Sequence, residues 1–191
     1  MPKEKKPNRT NIRTWAKIRL WAGYLYVLAA IILAKPNPPF IIAGLFLILL
    51  GIMLRLLSAA TLTKDTELVT WGIYSATRNP LYFGSSLIGL GFAFLASRWE
   101  FFAALFLILV PLYVRMILLE EKFLSELYPE STSAYFKVVP RFFPRLSRLG
   151  EIRKGLSWEK LLRSRELSSS AIIILAVILL LASHASWVPE G

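Results

Sequence analysis

The chain of 191 residues is long enough for one domain, and 55% hydrophobic residues with a mean hydropathy of +0.54 exclude an ordinary soluble protein. The absence of cysteine removes disulfides, thiolate nucleophiles, Cys-ligated zinc and cysteine-bound iron–sulfur clusters, and the single histidine, His184, argues against His-based general-base catalysis and metal sites. The formal net charge of +11 reads as membrane topology rather than nucleic-acid binding because of where the basic residues fall.

Residues 1–13 are polar and basic and predict a disordered tail. A first apolar run, Trp15 to Ala34, has the roughly 20 residues a bilayer core requires. It is long and aromatic, ends in no small-x-small site and is followed at once by a second run, so a span is predicted and not a cleaved signal peptide. The prolines of Lys35-Pro36-Asn37-Pro38-Pro39 break the helix before that second run, Phe40 to Leu57. Ala16, Gly23 and Ala30 recur at heptad spacing in the first run, and Gly44, Gly51 and Ser58 in the second. Small residues on one face allow backbones to approach in lipid, so these two helices are expected to pack along that seam.

A mixed stretch, Ser58 to Asn79, leads into a third run from Pro80 to Ala96. The turn Ser97-Arg98-Trp99-Glu100 joins it to a fourth, Phe101 to Leu119, giving a helical hairpin whose second arm should kink at Pro111. Glu120 to Ser169 is amphipathic and basic. Within it, Pro140-Arg141-Phe142-Phe143-Pro144 reads as a rigid extended segment. Ser157 to Leu167 reads as a surface helix with Leu156, Trp158, Leu161 and Leu162 against lipid. A fifth run spans Ala171 to Val188. All of the 23 lysines and arginines except Lys35 and Arg98 then fall on one side. The positive-inside rule places the N-terminus in the cytoplasm and the C-terminus outside. The predicted fold is an all-α polytopic membrane protein with five transmembrane helices, forming a single domain over residues 14–191 after the basic tail.

Two groups of residues carry more chemistry than connectors need. The first is Gly72-Ile73-Tyr74-Ser75-Ala76-Thr77-Arg78-Asn79-Pro80-Leu81-Tyr82-Phe83-Gly84, at the predicted cytoplasmic surface. Asn79-Pro80 also makes an ordinary helix start, and the glycines and serines from Gly84 to Gly91 also serve packing. The second is Glu120-Glu121, acids at the C-terminal end of a helix with no cation three or four positions away. Each must be held by a partner elsewhere or by a ligand. Arg115 lies about 140° around the helix from Glu120 and is free to face an anion. Gly89-Leu90-Gly91 follows no strand and lacks a third glycine, so no Rossmann fingerprint is present, nor any phosphate-binding loop.

The order Gly72-x-Tyr74-x-x-x-Arg78-Asn79-Pro80-x-Tyr82-x-Gly84, a hairpin, Glu120-Glu121 and Tyr135-x-x-x-Val139-Pro140-Arg141 resembles the isoprenylcysteine carboxyl methyltransferase family and related membrane phospholipid methyltransferases, over residues 63–144. The resemblance implies an all-helical membrane enzyme that uses S-adenosylmethionine in a pocket closed by the C-terminal segment, with a lipophilic substrate entering from the bilayer. It implies a cofactor site of Tyr74, Arg78, Asn79, Pro80, Tyr82 and Gly84, with Glu120 and Glu121 on its other side and Tyr135 and Arg141 in the closing segment. Arg115, Glu120 and Arg141 are the catalytic candidates, Arg115 nearest the substrate, and no metal is implied. The chain departs from the family pattern at Asn79, where a histidine is common, at Pro129, where Phe-Gly is usual, and at Thr132, often a tyrosine.

A carboxylate acceptor is ionised at neutral pH and needs no base, whereas an amine would need one, so carboxyl methylation of a lipid-bearing molecule is favoured. Membrane steroid-reductase-like enzymes that use NADPH share an Arg-His-Pro-x-Tyr-x-Gly segment. They differ where this chain has Leu81 and Ser85. A non-enzymatic scaffold would leave the two glutamates unexplained.

Overall fold

Asparagine or tyrosine followed by proline opens three helices of this chain, because proline at the first helical position has no N–H to leave unsatisfied. The computed structural model describes residues 10–62 and 67–184. Helices α1 (Thr10–Leu33) and α2 (Pro38–Thr61) are followed by the single turn α3 (Ile73–Ala76) and by α4 (Pro80–Ala96). Then α5 (Trp99–Ala104), a π-helical turn (Leu105–Leu109) and α6 (Val110–Leu127) run on as one 29-residue helix. After it come α7 (Pro129–Val138), a 3-10 turn (Leu146–Glu151), α8 (Trp158–Arg163) and α9 (Glu166–Ser183). The described residues contain no strand.

Four of these helices, Thr10–Leu33, Pro38–Thr61, Trp99–Leu127 and Glu166–Ser183, are long and apolar enough to cross a membrane. The third predicted run forms α4 with the expected bounds, but at 17 residues it falls short of that length. At 1.5 Å per residue it reaches about 25 Å against a hydrocarbon core of about 30 Å. The interior position of α4 fits its shortness: Phe92, Ala93, Leu95 and Ala96 have no exposed surface. Side chains such as Trp21, Ile42, Phe46 and Leu107 point outward at more than half exposure, the pattern of a bundle solvated by lipid.

The close packing forms between α2 and α4, not between α1 and α2. A Cβ added to Gly51 would lie 2.6 Å from the Gly84 carbonyl oxygen, and one on Gly44 would lie 2.8 Å from that of Gly91. Glycines one heptad apart on two antiparallel helices thus bring backbone against backbone, which only residues without a side chain permit. The predicted partner seam on α1 meets no such neighbour, since nothing lies within 4 Å of a Cβ built on Gly23. The glycines of α2 were read correctly as a packing device and paired with the wrong helix, whereas Gly23 of α1 packs against nothing, because periodicity shows a face and not its partner.

The two short loops meet at one end of the bundle. The Lys35 N–H donates to the Ala96 carbonyl at 2.9 Å, and the Asn37 N–H to the Ser97 hydroxyl at 3.2 Å. Ser97 ends α4 in the left-handed region at φ 51°. Lys35 and Arg98, the two basic residues set apart by their position in sequence, therefore share this end. Just before Pro111, where a kink is expected, the helix carries a π-helical turn in which the Val110 N–H reaches back to the Leu105 carbonyl. Three further expectations are adjusted. The predicted tail is already helical from Thr10, with residues 1–9 outside the described residues. The surface helix is short, and Leu161 is buried against Ala59 and Ala60 rather than facing lipid. The last helix begins at Glu166, five residues early, and 185–188 lie outside the described residues.

Candidate functional site

The end of the bundle opposite those loops is built by a sharp corner. Gly72 adopts φ +61°, and a Cβ there would stand 2.6 Å from the Lys154 carbonyl, so only glycine turns the chain at this point. The following turn, α3, buries Ile73, Tyr74, Ser75 and Ala76. Asn79 sits at the N-cap of α4, yet its side chain does not cap the helix. Its Nδ2 instead donates to the Arg141 carbonyl at 2.9 Å and lies 3.4 Å from Glu121 Oε1.

The segment after α7 is laced onto this corner. The Arg78 N–H donates to the Pro140 carbonyl, the Arg145 N–H to Ala76 and the Thr77 hydroxyl to Phe142, each at 2.9 Å. The Tyr135 hydroxyl donates to the Tyr74 carbonyl at 2.7 Å. Burial pushes both the Tyr135 and Tyr74 phenols well above the usual tyrosine value, so Tyr135 stays a donor at neutral pH. The extended Pro140–Pro144 segment predicted from its prolines is therefore a strap across residues 74–79. The Phe83 and Phe142 rings meet edge to face at 5.4 Å.

The two glutamates take different partners. Glu121, 7% exposed, receives Arg78 Nη1 at 3.1 Å and Arg141 Nε at 3.0 Å. Glu120 accepts from the Tyr82 hydroxyl at 2.7 Å, and the Arg19 guanidinium stands 5.3 Å over the Tyr82 ring. Both acids are thus held by distant parts of the chain, as the lack of intrahelical cations required. The Arg78 guanidinium stands 4.5 Å over the Phe136 ring, and among the described residues its buried Nε has no hydrogen-bond acceptor. These groups surround a cavity of about 410 Å³, within the range of small-molecule sites.

Tyr74, Arg78, Asn79, Pro80, Tyr82, Glu120, Glu121 and Tyr135 all line this cavity. Three predicted residues do not. Gly84 is a contact glycine, where an added Cβ would be 2.7 Å from the Gly51 carbonyl. Arg141 grips Glu121 from the rim with a side chain 53% exposed. Arg115 is exposed and stacks on Trp15 at 5.5 Å, away from the cavity, because 140° of helix rotation carries it past the interior face. The cations inside are Arg78 and two arginines the sequence reading treated only as topology charges, Arg19 and Arg55. Arg55 binds Glu166 through Nε at 2.9 Å and Nη2 at 2.7 Å, and Ser85 through Nη1 at 2.8 Å. The usable signal was their position inside apolar runs, where a charge marks a functional interior. Among the described residues no group of three or more His, Cys, Asp or Glu is placed to hold a metal ion.

The buried Glu121, the half-buried Glu120, aromatic faces and an unsatisfied guanidinium N–H around one cavity of a bundle with four helices long and apolar enough to cross a membrane point to an integral membrane protein with a candidate small-molecule site. Residues 39–131 match the phospholipid methyltransferase family, the membrane methyltransferases to which the motifs pointed. Two curated proteins are similar: the nickel-cobalt-cadmium resistance protein NccN of Alcaligenes xylosoxydans xylosoxydans and the cobalt-zinc-cadmium resistance protein CzcN of Cupriavidus metallidurans. NccN is 34% identical over 66% of this chain and 60% of its own length. CzcN is 38% identical over 44% of this chain and 38% of its own length. The chain thus spans less than two thirds of either relative. No solved structure matches.

Proposed function

We propose that this protein is an S-adenosylmethionine-dependent methyltransferase of the membrane, acting on a lipophilic acceptor from a site at the cytoplasmic face. The observation that carries the proposal is the meeting of the Arg78–Tyr82 corner with Glu120, Glu121 and Tyr135 around one cavity. The residues fit the cofactor. Glu120, which accepts from the Tyr82 phenol, and the rings of Tyr74 and Tyr82 offer the negative potential that a sulfonium requires. The unsatisfied Nε–H of Arg78 offers a donor to an anionic group such as the cofactor carboxylate. Asn79 stands where a histidine is common in the family, and its amide ties the strap to the corner.

When bound, the cofactor supplies an electrophilic methyl group. The protein's part is alignment and exclusion of water. The strap covers the corner through backbone hydrogen bonds, Phe136 backs Arg78, and Glu120 lines the cavity. Nothing in this wall is needed to take a proton if the acceptor is an ionised carboxylate, and the carboxylate of a lipid-bearing molecule is the acceptor we favour. Any part in metal resistance, taken over from the names of the relatives, would run through the methylated product.

The test is thermal unfolding of the full chain in detergent. S-adenosylmethionine and its demethylated product should each raise the midpoint, and NADPH should not. Stabilisation by NADPH alone would replace this reading with a reductase.

A further inference from the structure

Between the strap and the last helix the chain changes character. Residues 141–165 hold eight lysines and arginines against two glutamates, and large apolar side chains stand outward among them. Phe143 and Leu146 are 74% and 78% exposed. Trp158, at 69%, and Leu162, four positions on, share the outward face of α8, while Leu161 turns inward onto Ala59 and Ala60.

The depth of this stretch is fixed by its neighbours. The Ser157 N–H donates to the Ala60 carbonyl at 2.9 Å, beside the last residue of α2, and α9 begins three residues after α8 ends. Both α2 and α9 are long and apolar enough to cross a membrane, so their adjoining ends set the stretch where hydrocarbon gives way to headgroups. The Phe143 ring leans on Phe83 of the first turn of α4, at 6.1 Å, and so stands on the flank of the bundle.

The cations of this stretch are only partly answered within the protein. Glu151 is shared by Arg148 and Lys154, each at 3.8 Å, and Glu159 takes Arg163. Among the described residues Arg145, Arg153 and Arg165 form no ion pair, and all three are exposed. A basic face alone is readily solvated by water. Basic residues interleaved with exposed aromatic and aliphatic ones are solvated better by a membrane surface of negative headgroups.

We propose that residues 141–165 form a docking surface for anionic lipid, with Phe143, Leu146 and Trp158 at the headgroup boundary and Arg145, Arg153 and Arg165 on the negative heads, and that this docking holds the strap across the cavity. The connection to the strap is short. Phe143 is part of it, and Arg145, whose N–H closes it onto Ala76, directly precedes Leu146. A hold on Phe143 and Leu146 from outside therefore opposes local opening of those hydrogen bonds. The docking stands apart from the methyltransferase reading, whereas any effect on cofactor binding rests on it.

The experiment uses the full chain in nanodiscs of phosphatidylcholine alone and of phosphatidylcholine mixed with phosphatidylglycerol. A bimane on Ser147→Cys reports quenching by headgroup nitroxides, and hydrogen exchange follows residues 140–146. Phosphatidylglycerol should raise the quenching and slow the exchange at least about fivefold, the worth of one arginine at an anionic surface. High salt should reverse both. The triple variant Arg145→Gln, Arg153→Gln, Arg165→Gln should lose both responses, and Arg145→Lys, Arg153→Lys, Arg165→Lys should keep them, because charge is what the surface supplies. Quenching or exchange that is the same in both lipids, or responses undiminished in the Gln variant, overturns the proposal and leaves this face to an acidic protein or a second copy of the chain. S-adenosylhomocysteine is titrated into the same samples. Lipid-dependent protection of the strap in protein that binds no S-adenosylhomocysteine upholds the docking surface and sinks the methyltransferase reading. Binding of S-adenosylhomocysteine with equal protection in both lipids does the reverse.

Discussion

Glu120 and Glu121 are neighbours in sequence and do different work, since 100° of helix rotation points one at a phenol and the other at two guanidinium groups. Glu121 holds Arg78 and Arg141 together, so Glu121→Gln leaves buried cationic charge without its counter-charge. Breaking such a pair costs roughly 3–5 kcal/mol, and the lower end applies because Arg141 is half exposed. Arg141→Ala should cost about 1 kcal/mol, as for an exposed pair. Thermal unfolding of the two variants checks the ranking, and equal midpoints would remove Glu121 from its structural role. Glu120→Gln keeps an acceptor for Tyr82 and deletes only the charge. It should weaken S-adenosylmethionine binding about tenfold more than binding of the uncharged-sulfur product, measured by titration calorimetry. Equal losses would mean that Glu120 does not face the sulfonium.

Helices α2 and α4 depend on glycine pairs whose neighbours are carbonyl oxygens, which cannot rotate away as a side chain can. Gly84→Leu should therefore cost more than about 3 kcal/mol, above the usual overpacking penalty. Gly23→Leu, projecting into open space, should change stability by less than about 1 kcal/mol. Unfolding midpoints that fail to separate the two variants would contradict the packing described. The heptad spacing in the sequence marked all of these positions as small for a reason. Only the packed helices distinguish a glycine that admits a backbone from one that leaves a groove.

For the whole molecule, the natural absence of cysteine makes topology directly measurable. Single cysteines at Asn37 or Ser97 should react with an impermeant maleimide from outside intact cells, and ones at Arg145 or Lys154 only after lysis. The opposite pattern would place the cavity on the outer face. The helices were legible in the chain, as were the two motif segments, because apolar run length, helix-opening prolines and charge placement are local properties. Eight of the predicted site residues line the cavity for the same reason. Arg115 misled because a helix end says which way a side chain turns and not what stands there. Arg19 and Arg55 were passed over because their basic charge already had a use in orienting the chain.

By itself the order of residues determined that this is a helical membrane protein whose polar corner and double glutamate belong to one site, since hydrophobic length and side-chain chemistry are carried along the chain. Which helices touch and which arginines enter the cavity were decided only by tertiary packing. Those facts depend on contacts between segments far apart in the chain, such as Arg55 and Glu166, 111 residues from one another, and no local pattern encodes them.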